Sequence, residues 1–304
     1  MKYPILSITA CVILFFGSCT EKETVVTKNN TPLDVHRVST IKIQNYVNRT
    51  FIDIIGRNPT DEEMDSVVSD LEANNLSKEA RFKFINHIQS DSTFRIGDSS
   101  YQKVYYQRIY DMIKSKMVEG ANDFEFQRSV NNNKFALKVA RLEGDSVRVF
   151  KALNNIDRAS AVLKARDDYR YGHIKINEIF ARCANNAVYD QINMNTFNFI
   201  NATFDDLFYR FPSQQEFDIA YSIIQLNLTG FLFDSYASNK SEYCTILTNS
   251  DEFYVGLINF AYNSLLSRNP NAQEVNNLYS KLRETDDFQW LQATIASSDE
   301  YANF

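Results

Sequence analysis

The chain has 304 residues, 44% of them hydrophobic and 13% aromatic, which is ample material for a core and too apolar for a disordered protein. A formal charge of −6 argues against nucleic acid as a partner. Only 8 Gly and 5 Pro supply few of the turns that a sandwich, barrel or doubly wound sheet needs, and no convincing period-2 segment is present. The expected class is therefore all-α, built of packed helical hairpins.

Residues 1–18 read as a lipoprotein signal peptide. Lys2 supplies the positive start, Pro4 to Phe16 an apolar run too short for a permanent span, and Gly17-Ser18 the small residues before a cysteine. Phe16-Gly17-Ser18-Cys19 resembles the lipobox of bacterial lipoproteins, in the relaxed Bacteroidota-type form that tolerates Phe in place of Leu. The resemblance implies cleavage before Cys19, lipid on its sulfur and amine, and anchorage to an outer membrane. Residues 19–38 read as the lipidated cysteine and a flexible tether, polar and without apolar period. Glu21 and Glu23 resemble signals that carry some such lipoproteins to the cell surface, so both the periplasmic face and the surface stay open.

Three stretches share one pattern at one spacing. Val47, Phe51, Ile54 and Ile55 precede Arg57-Asn58-Pro59-Thr60 and Glu63; Ile200, Phe204, Leu207 and Phe208 precede Arg210-Phe211-Pro212-Ser213 and Glu216; Ile258, Tyr262, Leu265 and Leu266 precede Arg268-Asn269-Pro270-Asn271 and Glu274. Apolar residues at i, i+4, i+7 and i+8 lie on one helix face, and proline ends that helix. A Thr, Ser or Asn N-cap with Glu three positions on opens the next helix through a capping box. Three Arg-x-Pro-capped helix-turn-helix repeats are thus expected, over 39–96, 198–254 and 255–304. The arginines are expected to cap and to pair with the glutamate six residues on. Phe51, Leu71, Phe204, Ile224, Tyr262, Leu265 and Leu282 are expected to be buried.

Third helices are expected from Lys78 to Ile88 and from Asp287 to Ile295, with a larger insert, Asn227 to Cys244, in repeat two. Ser90-Asp91-Ser92-Thr93-Phe94, Ser250-Asp251-Glu252-Phe253 and Ser298-Asp299-Glu300-Tyr301 each set a cap pair before an aromatic residue and should close the repeats alike.

Residues 97–197 form a helical middle region: Tyr101 to Met117 keep helical spacing, and Phe135 to Leu142 and Val149 to Leu163 give helices separated near Gly144. A further helix is expected from Gly172 through Ile176, Ile179, Phe180, Cys183 and Ala187; its Ile176, Ile179, Phe180 and Arg182 echo the first half of the repeat, but Ala184 stands where proline should be. From Lys134 to Lys175, ten basic residues face five acidic ones, reversing the sign of the chain. Such a segment is either a solvated face or a contact surface for an anionic partner, and Lys151, Arg158 and Arg166 are its candidate contact residues.

No linear signature of catalysis emerges. His36, His87 and His173 have no helical-spaced partner, so no metal site is expected, and no phosphate loop, nucleophile elbow, dinucleotide fingerprint or haem attachment motif occurs. The adjacent carboxylates Asp167-Asp168 and Asp286-Asp287 point ~100° apart on a helix and read as solvated charge. Cys183 and Cys244 leave one disulfide open in an oxidising compartment, while their apolar helical settings favour buried thiols. The repeats resemble helical modules of bacterial exported proteins, which implies a helical adaptor and carries across no catalytic residue or cofactor. The expected function is a non-catalytic binding or assembly subunit of the cell envelope, partnered by another envelope protein or an anionic glycan. The alternative is an envelope enzyme acting on glycan or peptidoglycan through carboxylates that leave no linear trace.

Overall fold

The computed structural model describes residues 38–304. The signal peptide, Cys19 and its lipid, His36 and nearly all of the tether lie outside the described residues. Among them α-helices take about three-quarters of the positions, so the fold is all-α.

The first helix, α1 (Thr40–Ile55), buries Ile43, Tyr46, Val47, Phe51 and Ile54, a stripe at helical spacing. It stops at Gly56, whose φ of 79° is the left-handed conformation that lets a chain leave a helix. Pro59 comes next, and α2 (Asp61–Ala73) starts from the capping box of Thr60 and Glu63. The same sequence of events separates α9 (Thr196–Phe208) from α10 (Gln214–Leu226), and α12 (Asp251–Leu266) from α13 (Ala272–Thr285). There the left-handed residues are Tyr209 and Ser267, and the boxes are Ser213–Glu216 and Asn271–Glu274.

Third helices stand after these hairpins as α3 (Lys78–Ser90), α11 (Lys240–Asn249) and α14 (Phe288–Ala296). Between α3 and α9 the chain runs through α4 (Tyr101–Met117), α5 (Asp123–Glu143), α6 (Ser146–Arg170), α7 (Ile176–Ala184) and the unanticipated α8 (Ala187–Asn193). The last helix is α15 (Asp299–Ala302).

Four local expectations change. The insert after α10 contains an antiparallel ribbon, β1 (Gly230–Leu232) with β2 (Ser235–Ala237), whose turn residues Phe233 and Asp234 both have positive φ. The close expected at Ser90–Phe94 does not form: Asp91 ends α3, Phe94 is 77% exposed, and Ser100 caps the helix that begins at the buried Tyr101. Arg95 and Ser99 pair across the intervening loop. Ile224 is only half-buried, because α10 turns the neighbouring Ile223 into the core instead. The helix expected from Gly172 through Ala187 is shorter and divided: Gly172 lies in the turn before α7 at φ 72°, α7 ends at Ala184, and Asn186 caps α8, which Ala187 opens.

Two sets of contacts fix how the elements meet. Gly256, in the middle of α12, passes so close to α9 that a Cβ there would lie 1.8 Å from the Leu207 carbonyl oxygen. Helices cross this tightly only where a side chain is missing. At the other end α1 and α3 close onto the last helices. Tyr46 Oη donates to the Ala296 carbonyl at 3.3 Å, Tyr301 Oη to Asp53 at 2.8 Å, and Arg49 to the Tyr301 carbonyl at 3.0 Å with its guanidinium over the Tyr301 ring. The nearly fully buried Arg81 pairs with Asp299 and reaches the Ser298 carbonyl, and Gln89 and Gln289 each donate to the other's backbone oxygen.

Candidate functional site

The arginines of the three Pro turns occupy the most polar points of the hairpins. Arg268 donates from Nη1 to the Asn269 carbonyl and to Glu274, from Nη2 to Glu274 and Glu300, and from Nε to Glu300, all between 2.6 and 3.0 Å. Arg57 binds the Asn58 carbonyl, Glu63 and Asp98, and Arg210 binds the Phe211 carbonyl, Glu216 and Glu252 in the same way. A guanidinium has five N–H donors, so none is left for a ligand. The second carboxylate was not anticipated from sequence. It comes from beyond the hairpin's second helix, so each arginine ties its own turn to a later segment of the chain.

The electrostatics agree with a closed arrangement. Burial pushes the Glu63 carboxyl up, but hydrogen bonds from Arg57, Tyr101 and the Thr60 amide outweigh it and hold the group at about 2. Hydrogen bonds from Arg210 bring Glu216 to about 2, with burial opposing, and those from Arg268 lower Glu274. Each cation also lies over an aromatic ring six residues earlier, Phe51, Phe204 or Tyr262, at 5.1 to 5.4 Å from the centroid.

The α5–α6 hairpin is built differently. At its base Phe126, Val162 and Ala165 join the main core, while Val130, Ala140, Ala152 and Ala159 are buried outside it. Small Ala140 and Ala152 let the two helices approach, and Asn155 donates to Asn133 across them at 3.1 Å. Large apolar side chains face away: Phe135 is 71% exposed, Leu142 81%, Val147 76% and Phe150 72%. Phe124, Phe135 and Leu142 recur at spacings of eleven and seven, which returns each to within ~20° of the same face of α5. Lys134, Lys138, Arg141 and Lys151 stand exposed among them.

The three candidate contact residues lie along α6 in three settings and are not brought together. Lys151 is exposed near the tip. Arg158 is half-buried and lines a groove at the hairpin's base. Arg166 is committed to Gln107 on α4 and, through two donors at 3.0 and 3.1 Å, to Asp167.

The groove has a volume of about 630 Å³ and lies between α6, α7 and α11. Arg158, His173, Lys175 and Arg182 border it, with Glu178 its one acidic side chain. Arg182 is held by Glu178, Asp168 and the Ala161 carbonyl, and Lys175 by Asp286. The polar groups from α7 and α11 escaped sequence reasoning because no linear spacing joins residues so far apart in the chain.

Cys183 and Cys244 are both buried free thiols, and burial pushes each up to about 12. Among the described residues no group of three His, Cys, Asp or Glu side chains could hold a metal ion, and no helix is long and apolar enough to cross a membrane. Comparison of the chain with protein-family models, curated proteins and solved structures finds no match in any of the three.

Proposed function

We propose that the chain is a non-catalytic binding or assembly protein of the bacterial cell envelope, held to an outer membrane by lipid on Cys19 and offering the α5–α6 hairpin to another envelope protein. The observation that carries this reading is the set of uncovered apolar side chains on that hairpin, Phe135, Leu142, Val147 and Phe150. Isolated exposed apolar residues are ordinary, but several on one projecting element, aromatic and interleaved with cations, fit the composition of a protein interface. The charge of the segment favours an acidic partner and sets a salt-dependent on-rate. The repeats supply the rigid mount, since every polar donor of their arginines is spent internally.

In vivo crosslinking coupled to mass spectrometry tests the assignment: the partner should crosslink through residues 134–153. Crosslinks confined to the three Pro-turn hairpins overturn it. The anchor has its own test, since a fatty-acid probe should label the wild type and not Cys19→Ala.

A further inference from the structure

The groove at the base of the hairpin presents a second, smaller site, independent of the adaptor reading. Of the cations that border it, Lys175 and Arg182 are tied to carboxylates, and His173 stands 3.9 Å from Asp168. Arg158 alone makes no hydrogen bond or ion pair with any described residue, although it is half-buried and faces the cavity. The only carboxylate lining the groove, Glu178, is already engaged by Arg182. An arginine so placed offers a planar fork of donors to an oxyanion.

The residues that α7 and α11 bring to the groove include polar acceptors. Asn177 donates one amide hydrogen to Asn249 at 2.9 Å, and no described donor reaches its carbonyl oxygen. Asn185 donates to Ser241 at 3.0 Å, and its own Oδ1 is buried without a donor. Thr245 gives its proton to the Ser241 carbonyl at 3.0 Å, which leaves its hydroxyl lone pairs free. Acceptors lacking donors call for hydroxyl groups, and one cation lacking a counter-ion calls for one acidic group. A volume of about 630 Å³ has room for one or two sugar rings.

We infer that the groove between α6, α7 and α11 binds an acidic saccharide, its carboxylate or phosphate on Arg158 and its hydroxyls on Asn177, Asn185 and Thr245. The acid alone does not explain the acceptors, and a neutral sugar leaves Arg158 unpaired.

Calorimetric titration of the full chain with glucuronate, glucose 6-phosphate, glucose and inorganic phosphate tests this. At least one acidic sugar should bind saturably, with glucose and inorganic phosphate each weaker by about tenfold or more. The preferred acidic sugar tells a carboxylate from a phosphate. Arg158→Gln should weaken that sugar by about tenfold with little change in the thermal midpoint, because the side chain has no hydrogen bond or ion pair to lose. Thr245→Val should weaken the acidic sugar and leave inorganic phosphate unchanged. Inorganic phosphate binding as tightly as the sugars overturns the saccharide assignment. So do equal affinities for glucose and glucuronate, absence of saturable binding, or affinities unmoved by both substitutions.

Discussion

The α12–α13 and α5–α6 hairpins are both pairs of antiparallel helices joined by a tight turn, yet they spend their apolar residues in opposite ways. In α12–α13 the turn is locked by Arg268 between Glu274 and Glu300, and no large hydrophobic side chain from residue 255 onward is exposed. In α5–α6 the turn is Gly144 at φ 71°, spanned by an exposed Arg148–Glu143 pair with no tie to a later segment, and Phe135, Leu142, Val147 and Phe150 face solvent. Periodicity alone does not tell these apart, because an apolar stripe records that a face exists and not what covers it. The difference lies in the neighbours: α9 meets α12 at backbone distance, whereas no described element covers the large apolar side chains of the outer half of α5–α6.

The sharpest way to break the comparison is to damage the covered hairpin. Gly256→Ala forces a Cβ against the Leu207 carbonyl, a backbone atom that cannot swing aside, and should cost about 3 kcal/mol or more. Leu265→Ala should cost about 2 to 5 kcal/mol. Urea unfolding reads both, and unchanged midpoints would show that α9 and α12 are not packed as described.

Arg268→Ala should cost less, about 1 kcal/mol, since its carboxylate partners are partly solvated and can turn to water. A loss as large as that for Leu265→Ala would mean that the clamp, not the stripe, holds the hairpin.

Acid sharpens the same contrast. The Glu63 and Glu216 carboxyls sit at about 2 in the folded chain against an ordinary 4.5, so the folded state binds fewer protons than the unfolded one in between. Their stabilisation is complete above about pH 4.5 and drains away as pH falls toward 2. Asp206 runs the other way: burial lifts it to about 6 from 3.8, so its contribution worsens as pH rises through that range. Asp206→Asn should therefore raise the thermal midpoint more at pH 7.5 than at pH 4, and equal shifts at both would discard the assignment.

The smallest stability effect belongs to the uncovered hairpin. Phe135→Ser with Phe150→Ser should change unfolding free energy by less than about 0.5 kcal/mol while removing the crosslinked partner. A large loss of stability would show that these rings are covered after all.

Much of the fold was legible in the chain. Proline after Arg-x, then a cap residue and a glutamate, left little freedom at three turns, and the starts of α2, α10 and α13 are set by it. The ribbon of β1 and β2 was illegible because its strands have three residues each and its turn uses Phe233-Asp234 where Asn-Gly would have announced left-handed geometry. Ser90–Phe94 looked like its counterparts because a cap pair before an aromatic is a short signal, and a ten-residue loop carrying Asp98 displaced the true start to Tyr101. Of the candidate site, the sign of the basic segment was readable. That Arg166 would be taken up by Gln107 of α4 as well as by its neighbour Asp167, and Arg158 left without a counter-ion, was not, since both depend on where α4, α7 and α11 arrive.

The contacts between α1, α3 and the last helices join residues 200 or more positions apart, Tyr46 with Ala296 and Gln89 with Gln289 among them. Such long-range closure is slow, because the chain loses loop entropy before it gains the contact. Made or exported from its N-terminus, the chain holds Tyr46, Phe84 and Ile88 without their final neighbours until residue 301 arrives. The first hairpin is thus the earliest to emerge and the last to be finished, and a chain interrupted shortly before Tyr301 would present that unfinished face to proteases and to other chains.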